Sequence, residues 1–440
     1  MVTKSNPILQ KFYSFLVAAI LANLASTLSM IVDSIIAGQI LGPVRLAAIT
    51  SLQPVNQLVF ALTVLLNTGC AMLVAYALGE KNDSKIRGHF TFSMLLNAVT
   101  TAVMLIVGLC FIGQIAHITS NDPGIYDESV KYGRILISTS GVMVTMFGLN
   151  AFVRTDNAPK LVTVAVIVSN VVNLTFDIIF MKYLNMGIEG AAWASVLGYV
   201  VGIGITLLHF REQDCKLAFG WKDMQDIAKM MALFVGLPLF VDTLSMFLRI
   251  LFVNNMLLEV EGVSGLAIQA VSLNMLLVVN LFLGGCGQAL QGVGGASLGA
   301  GDGKSFKVMV SHSAIIIAAM SIIMFAVIEI WPEQIIAMFN LDADNSIQSK
   351  AVYALRLFAP CMPGFGLAYI FEATCLVRKQ TLPAIIIAFF HTMTVAVVMF
   401  IIVRLGTISI WHSFWIGETI ATILSALTYY IYNRKMEIRR

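Results

Sequence analysis

The chain has 440 residues, of which 58% are hydrophobic and only 12% charged, with a formal net charge of +3. Soluble domains carry about 25% charged residues, so half of the usual solvated surface is missing and lipid is the natural replacement for it. A soluble enzyme or binding domain is thereby excluded, and no basic run with interleaved aromatics points to nucleic acid.

Apolar stretches of spanning length, about 20 residues or more, recur along the whole chain. They fall near 12–37, 46–78, 90–115, 132–153, 160–181 and 190–210, then near 228–255, 264–298, 309–330, 352–376, 383–403 and 411–432. These predict an all-α integral membrane protein of twelve transmembrane helices. The runs are continuous and not short alternating segments, which excludes a β-barrel. The first is too long for the h-region of a signal peptide, so it reads as a retained spanning helix.

The longest polar connection between the halves runs from Arg211 to Ile227 and contains Glu212, Asp214, Lys216, Lys222, Asp223 and Asp226. It predicts an N-terminal six-helix lobe over 1–215 and a C-terminal one over 216–440. With both termini on one side, nineteen of the 27 Lys and Arg fall on that side, among them Lys4, Lys81, Lys85, Arg87, Lys216, Lys222, Arg439 and Arg440. The positive-inside rule then puts both termini in the cytoplasm.

The halves resemble each other. Thr27-Leu28-Ser29-Met30 recurs as Thr243-Leu244-Ser245-Met246, an offset of 216, and Leu78-Gly79 as Leu298-Gly299, an offset of 220. Ala48-Ile49 recurs as Ala267-Ile268, and Val153-Arg154 before Pro159 as Val377-Arg378 before Pro383, an offset of 224. Ordered matches with slowly drifting offsets indicate an internal duplication. Because six is even, both copies insert the same way, related by a pseudo-two-fold along the membrane normal, and a substrate site is expected between them.

An ionisable side chain at mid-bilayer costs about 2.5–3.5 kcal/mol on insertion scales, so those that persist are candidates for function. The first helix carries Asp33, with Ser29 and Ser26 on the same face. The fifth carries Asn170, Asn173 and Asp177, spaced three and four and therefore on one face. Two carboxylates with amide and hydroxyl partners suit a proton or a small hard cation such as Na⁺. The alternative is a buried network that merely pins two helices together. At the offsets above Asp33 maps onto Arg249 and Asp177 onto Ile401, so the second half has no paired acids at those positions and the coupling ion is expected in the first. Asp242 and Arg249 lie one heptad apart on the seventh helix, and Glu372 and Glu418 are candidate cavity residues on the tenth and twelfth. His391 reads as a satisfied core histidine.

Other apparent motifs carry nothing. The sequon Asn173-Leu174-Thr175 lies within a spanning helix, and Gly292 to Gly301 closes an apolar helix without a preceding strand, where small residues allow close packing. The six cysteines form no CxxC pair, and five of them sit in apolar stretches as small hydrophobes. No Walker sequence and no catalytic constellation is present, so neither ATP-driven transport nor an enzyme is expected, and no organic cofactor is called for.

Val32-Asp33-Ser34-Ile35-Ile36-Ala37-Gly38 followed by Leu46-Ala47-Ala48-Ile49, Gly69 with Leu78-Gly79, and Phe152-Val153-Arg154 before Pro159 form a recognisable series. With Asn173 to Phe180 and Gly187 to Ser195, they resemble the multidrug and toxic compound extrusion (MATE) family, in its bacterial DinF/MepA-like branch. The resemblance covers nearly the whole chain. It implies twelve helices in two lobes, residence in the bacterial inner membrane as a monomer, and export of cationic amphipathic compounds by alternating access against an H⁺ or Na⁺ gradient. In the branch with an acidic first lobe the ion site matches Asp33, Asn173, Asp177 and the hydroxyl of Ser195, where the family more often has Thr.

Protonation or Na⁺ binding at Asp33 and Asp177 would repack the first lobe and expel drug, and drug binding would displace the ion. Gln53, Asn56, Gln57, Gln269, Ser272 and Asn274, on the second and eighth helices, are candidates for the drug-cavity lining, together with Asp242, Arg249, Glu372 and Glu418. The rival reading is a flippase for a lipid-linked substrate on the related fold, which would need a basic cavity. Here only Arg249 is central.

Overall fold

Every regular element among the described residues is helical. The computed structural model describes residues 7–119, 123–225, 227, 229–338, 345–406 and 408–438; Lys4, Asp226, Arg439 and Arg440 lie outside them. In chain order the helices are α1 (Pro7–Ser51), α2 (Gln53–Gly79), α3 (Asp83–Cys110), α4 (Ile112–Thr119), α5 (Pro123–Ser138), α6 (Ser140–Thr155), α7 (Pro159–Ile178) and α8 (Ile188–Thr206). They continue as α9 (Lys229–Ala289), α10 (Gly295–Gly299), α11 (Gly303–Ile330), α12 (Pro332–Ala337), α13 (Asn345–Phe358), α14 (Cys361–Val377), α15 (Thr381–Leu405) and α16 (His412–Ile438). Helix α9 is two helices joined at Gly262, whose φ of 68° and ψ of −157° only glycine adopts freely.

Among the described residues, eleven helical segments are long and apolar enough to cross a membrane, or twelve if Tyr126–Ser138 and Ser140–Thr155 form one span bent by 46°. The sequence reading placed a single helix there, near 132–153. The bend has a local cause. Thr139 donates its hydroxyl to Ile135 O at 2.6 Å and Ser140 to Ile137 O at 2.8 Å, so adjacent hydroxyls compete for carbonyls of the preceding turn. The outer faces are apolar: Ile106, Ile315 and Leu405 are 67%, 66% and 66% exposed. In water such faces would be strongly unfavourable, whereas lipid solvates them. The protein is a multi-pass helical membrane protein.

The chain forms two compact units, Met1–Gly236 with Gln291–Gly301, and Leu237–Leu290 with Asp302–Arg440. In the first, glycines let backbones touch. A Cβ on Gly69 would fall 1.8 Å from Ala232 O and one on Gly236 2.3 Å from Leu65 O. Likewise a Cβ on Gly79 would meet Ala296 O at 2.0 Å and one on Gly299 would meet Tyr76 O at 2.2 Å. Thus α2 is held against residues 232–236 and against α10 at distances only glycine permits. The polar segment after α8 straps onto α3: Asp223 accepts from Arg87 Nε at 2.8 Å and from Ser84 Oγ at 2.7 Å, and Gly220 N–H donates to Thr91 Oγ1 at 2.8 Å. In the second unit α14, α15 and α16 pack around Cys375, Ala384 and Ile387, with Phe358 and Phe414 edge to face at 5.3 Å.

The helix ends carry a repeated signature. Helix α2 closes with Asn82 N–H donating to Ala77 O and Lys81 N–H to Leu78 O, a Schellman turn with Lys81 at φ 55°. Helix α14 closes in the same way at Gln380 and Lys379, the latter at φ 59°. The turns after α6 and α10 place Asn157 and Gly301 at φ 69° and 78°. Asn82 then caps α3 by accepting from Lys85 N–H at 3.1 Å, as Asp302 caps α11 by accepting from Ser305 N–H at 3.0 Å. The turn after α2 and the turn after α10, at Lys81 and Gly301, keep the offset of 220. The other pair matches Asn157 with Lys379, an offset of 222. That offset is two residues short of the 224 of the Val-Arg-Pro match.

Candidate functional site

Within the first unit, α1, α2, α5, α6, α7 and α8 surround a cavity of about 330 Å³. Helices α7 and α8 meet closely because α8 offers Gly198 and Gly202 to them: a Cβ on Gly198 would lie 2.7 Å from Ser169 O and 3.1 Å from Asn173 Cβ. That approach brings Asn173 to Ser195. Asn173 Nδ2 donates to Asp177 Oδ2 at 3.1 Å and to Ser195 Oγ at 3.3 Å, while Ser195 spends its own proton on Ala191 O at 3.2 Å. The carboxyls of Asp33 and Asp177 lie close enough to act on each other electrostatically. The structure thus brings together Asp33, Asn173, Asp177 and Ser195 from three helices.

The two acids are placed differently. Asp33 lines the cavity and is partly exposed to it, whereas Asp177 is fully buried behind it. Asp177 Oδ1 is buried without a hydrogen-bond donor. Two neighbouring carboxyls repel when both are ionised, and a proton on one or a cation beside them relieves that repulsion. Directly after Asp177, at Ile178, the helix loosens into a π turn over Ile179–Tyr183, a feature frequent at functional sites.

The cavity lining mixes polar and aromatic side chains such as Ser26, Asn56, Tyr132, Asn170 and Tyr199 with apolar ones such as Leu136, Met143 and Met146, and has no Lys or Arg among the described residues. Asn170 Nδ2 lies 3.5 Å from Ser26 Oγ. Tyr132 and Tyr199 lie close enough to feel the charge of Asp33. Sequence reasoning missed both tyrosines. Tyr199 was within reach of it, one turn beyond Ser195 on the same face; Tyr132, on α5, carries no such signal.

Of the remaining candidates, Asn56 lines this cavity and Gln57 is exposed, while the side chain of Gln53 lies outside the described ones. Gln269, Ser272 and Asn274 belong to the second unit. Gln269 is buried with Oε1 unpartnered, Ser272 donates to Ile268 O within its own helix, and Asn274 is half-buried.

The second unit also gathers charge. Arg249 acts electrostatically on Asp242, Glu418 and His391, and Asp242 on Glu372. Glu372 and Glu418 are each 2% exposed, and one oxygen of each lacks a partner, as does His391 Nδ1. His391, expected to be satisfied, packs edge to face on Phe365 at 4.2 Å. Away from the positions that map onto Asp33 and Asp177, Asp242 on α9 and Glu372 on α14 lie close enough to act on each other, which a one-to-one mapping of the first-half acids could not find.

The MatE family profile matches residues 18–179 and 238–402, well over half of the chain. The probable multidrug resistance protein YoeA of Bacillus subtilis (strain 168) is 23% identical over 445 residues, covering 98% of this chain and 94% of its own. The multidrug export protein MepA of Staphylococcus aureus (strain bovine RF122 / ET3-1) is 20% identical over 446 residues, covering 99% and 96%. Among solved structures, a MATE in complex with MaL6 superposes with a TM-score of 0.90 at 20% identity over 98% of each chain. A MOP superfamily transporter from Pyrococcus furiosus, described as having a binding pocket of reverse polarity, superposes with a TM-score of 0.88 at 20% identity over 97% of this chain and 96% of that one. These likenesses concern the fold. The family profile, matched in both halves of a multi-pass helical membrane chain, shows that this protein belongs to the MatE family, whose members are transporters and not enzymes.

Proposed function

We propose that the protein is an H⁺- or Na⁺-coupled antiporter that exports cationic, amphipathic organic compounds by alternating access. The observation that carries this reading is the proximity of the carboxyls of Asp33 and Asp177, one opening on the cavity and the other fully buried. With an ion bound, the pair loses one of its two negative charges, its repulsion is relieved, and the Asn173–Ser195 bridge holds α7 and α8 together. With the ion gone, the carboxyls repel and the cavity gains negative charge facing Tyr132 and Tyr199, a setting that attracts an organic cation through charge and ring faces. Ion and drug then favour different packings of the same helices, which is the requirement for exchange.

The wider architecture belongs to the same proposal: two six-helix lobes over 1–215 and 216–440, a pseudo-two-fold along the membrane normal, and both termini in the cytoplasm of a bacterial cell. The matched Schellman turns support the duplication, and the charge asymmetry supports the orientation. Relatives named as multidrug exporters support the substrate class. The lipid-linked flippase reading is not favoured, since the cavity of the first unit has no basic side chain among its described lining.

Equilibrium binding of a fluorescent organic cation to the purified protein tests this reading. Affinity should fall when pH is lowered or Na⁺ is added, whichever ion couples. Binding that ignores both ions would contradict it.

A further inference from the structure

Away from the cavity, where α6 ends and the chain leaves α8, four side chains converge that transport does not use. Asp156 caps the end of α6 and is 2% exposed; His209 lies in the 3₁₀ turn Leu207–Arg211 and is also 2% exposed; Glu212 and Cys215 follow on the irregular segment after it. His209 Nε2 lies 2.9 Å from Asp156 Oδ2, and His209 Nδ1 lies 2.9 Å from Glu212 Oε2. Lys216 N–H donates to Asp156 Oδ2 at 2.9 Å and fixes that carboxylate in place. Asp156 Oδ1 is buried and has no hydrogen-bond partner.

We propose that Asp156, His209 and Cys215 form a binding site for a thiophilic divalent cation of the Zn²⁺ class, with Glu212 as the outer carboxylate that orients the His209 ring. One carboxylate oxygen, one ring nitrogen and the Cys215 sulfur lie within 4.8 Å of one another. Oxygen, nitrogen and thiolate at about 2.0–2.3 Å are the donor set and bond lengths of tetrahedral zinc, which leaves the fourth position to water. Drawing the three atoms onto one ion needs a contraction of about 1 Å, which Cys215 can supply because its segment is irregular. Glu212, half-exposed on the far side of the ring, completes a carboxylate–histidine–metal arrangement in which Nδ1 faces Glu212 and Nε2 faces Asp156 and the proposed ion. Calcium and magnesium are disfavoured, since they require six or more oxygens.

Metal uptake displaces protons and changes no oxidation state. On binding, the cation takes the place of the proton on the Cys215 sulfur, which then ligates as thiolate. Lys11 is the nearby cation that acts on Asp156 in the empty site.

The test is titration of the full-length detergent-solubilised protein with Zn²⁺ against a chromogenic chelator, alongside Co²⁺ as a spectroscopic stand-in. One ion per chain, a thiolate-to-cobalt charge-transfer band, no competition by Mg²⁺ or Ca²⁺ and weaker binding at lower pH are expected. Cys215→Ser should remove the band, and Glu212→Gln should weaken Zn²⁺ binding by about 10–100-fold. Cys110 is the other cysteine that is not buried, so in a Cys110→Ser background Zn²⁺ should protect Cys215 from a maleimide and a chelator should restore labelling. This last readout needs no change at the site. Absence of stoichiometric binding, a band that survives Cys215→Ser, or labelling indifferent to Zn²⁺ would each overturn the proposal.

Discussion

Asp33 and Asp177 are the same residue type in two environments, and their difference carries the account. Asn173 is what keeps Asp177 tolerable in a sealed position, because it supplies the donor to Oδ2. Asn173→Ala leaves that buried acceptor bare, and a lost buried partner costs about 1–3 kcal/mol. Thermal unfolding in detergent should show this loss, and export should weaken with it. Asn173→Ser, too short to reach both partners, should fall between the two. The spacing of Asn173 and Asp177, one helical turn apart, was legible from the residues alone. Ser195 entered only through family resemblance, because nothing local in α8 says that it faces α7. Tyr132 was illegible, since which face of α5 turns towards Asp33 depends on packing among helices distant in sequence.

Elements are positioned here by small residues and by helix ends. Gly198→Val should push α8 off Ser169 O and Asn173, separating Asn173 from Ser195; export should drop at least tenfold while the protein still inserts, as read by transport beside a surface-expression control. At the end of α2, Lys81 holds φ 55° without being glycine, a conformation that costs an L-residue about 1–2 kcal/mol. Lys81→Gly should therefore raise thermal stability, by about 1 kcal/mol or less once the greater freedom of the unfolded chain is counted. The strap onto α3 is titratable. Hydrogen bonds from Arg87 and Ser84 hold the Asp223 carboxyl below its ordinary value. Its contribution is then complete above the ordinary carboxylate range, near pH 4, and is lost as pH falls through the depressed folded value. Hydrogen exchange of residues 211–225 should rise only in acid for the native chain, and already at pH 7 for Asp223→Asn. Helix existence was readable from hydropathy almost throughout. The bend between α5 and α6 was not, because it arises from hydroxyl-to-carbonyl bonds that a hydropathy pattern does not register.

For the whole molecule, the duplication is visible in sequence as short matches and in structure as helix ends that repeat the same backbone geometry. The two signals differ slightly: the turns at Asn157 and Lys379 are 222 residues apart, and the Val-Arg-Pro matches 224. The asymmetry between the halves is one of arrangement: the first unit pairs Asp33 with Asp177 across α1 and α7, and the second sets Asp242 and Glu418 near Arg249, with Glu372 near Asp242. A cluster assembled from three helices cannot be read from the spacing within any one of them. Assigning ion coupling to the first unit makes a sharp claim, because neutralising an acid there should uncouple export whereas Glu418→Gln should not. The decisive measurement is efflux of an organic cation such as ethidium from proteoliposomes under a pH gradient and, separately, a Na⁺ gradient, with the native chain and Asp33→Asn side by side. The account predicts gradient-driven efflux by the native chain under at least one ion and its loss in Asp33→Asn, with both proteins inserted to the same extent. Full efflux by Asp33→Asn under both gradients would contradict it.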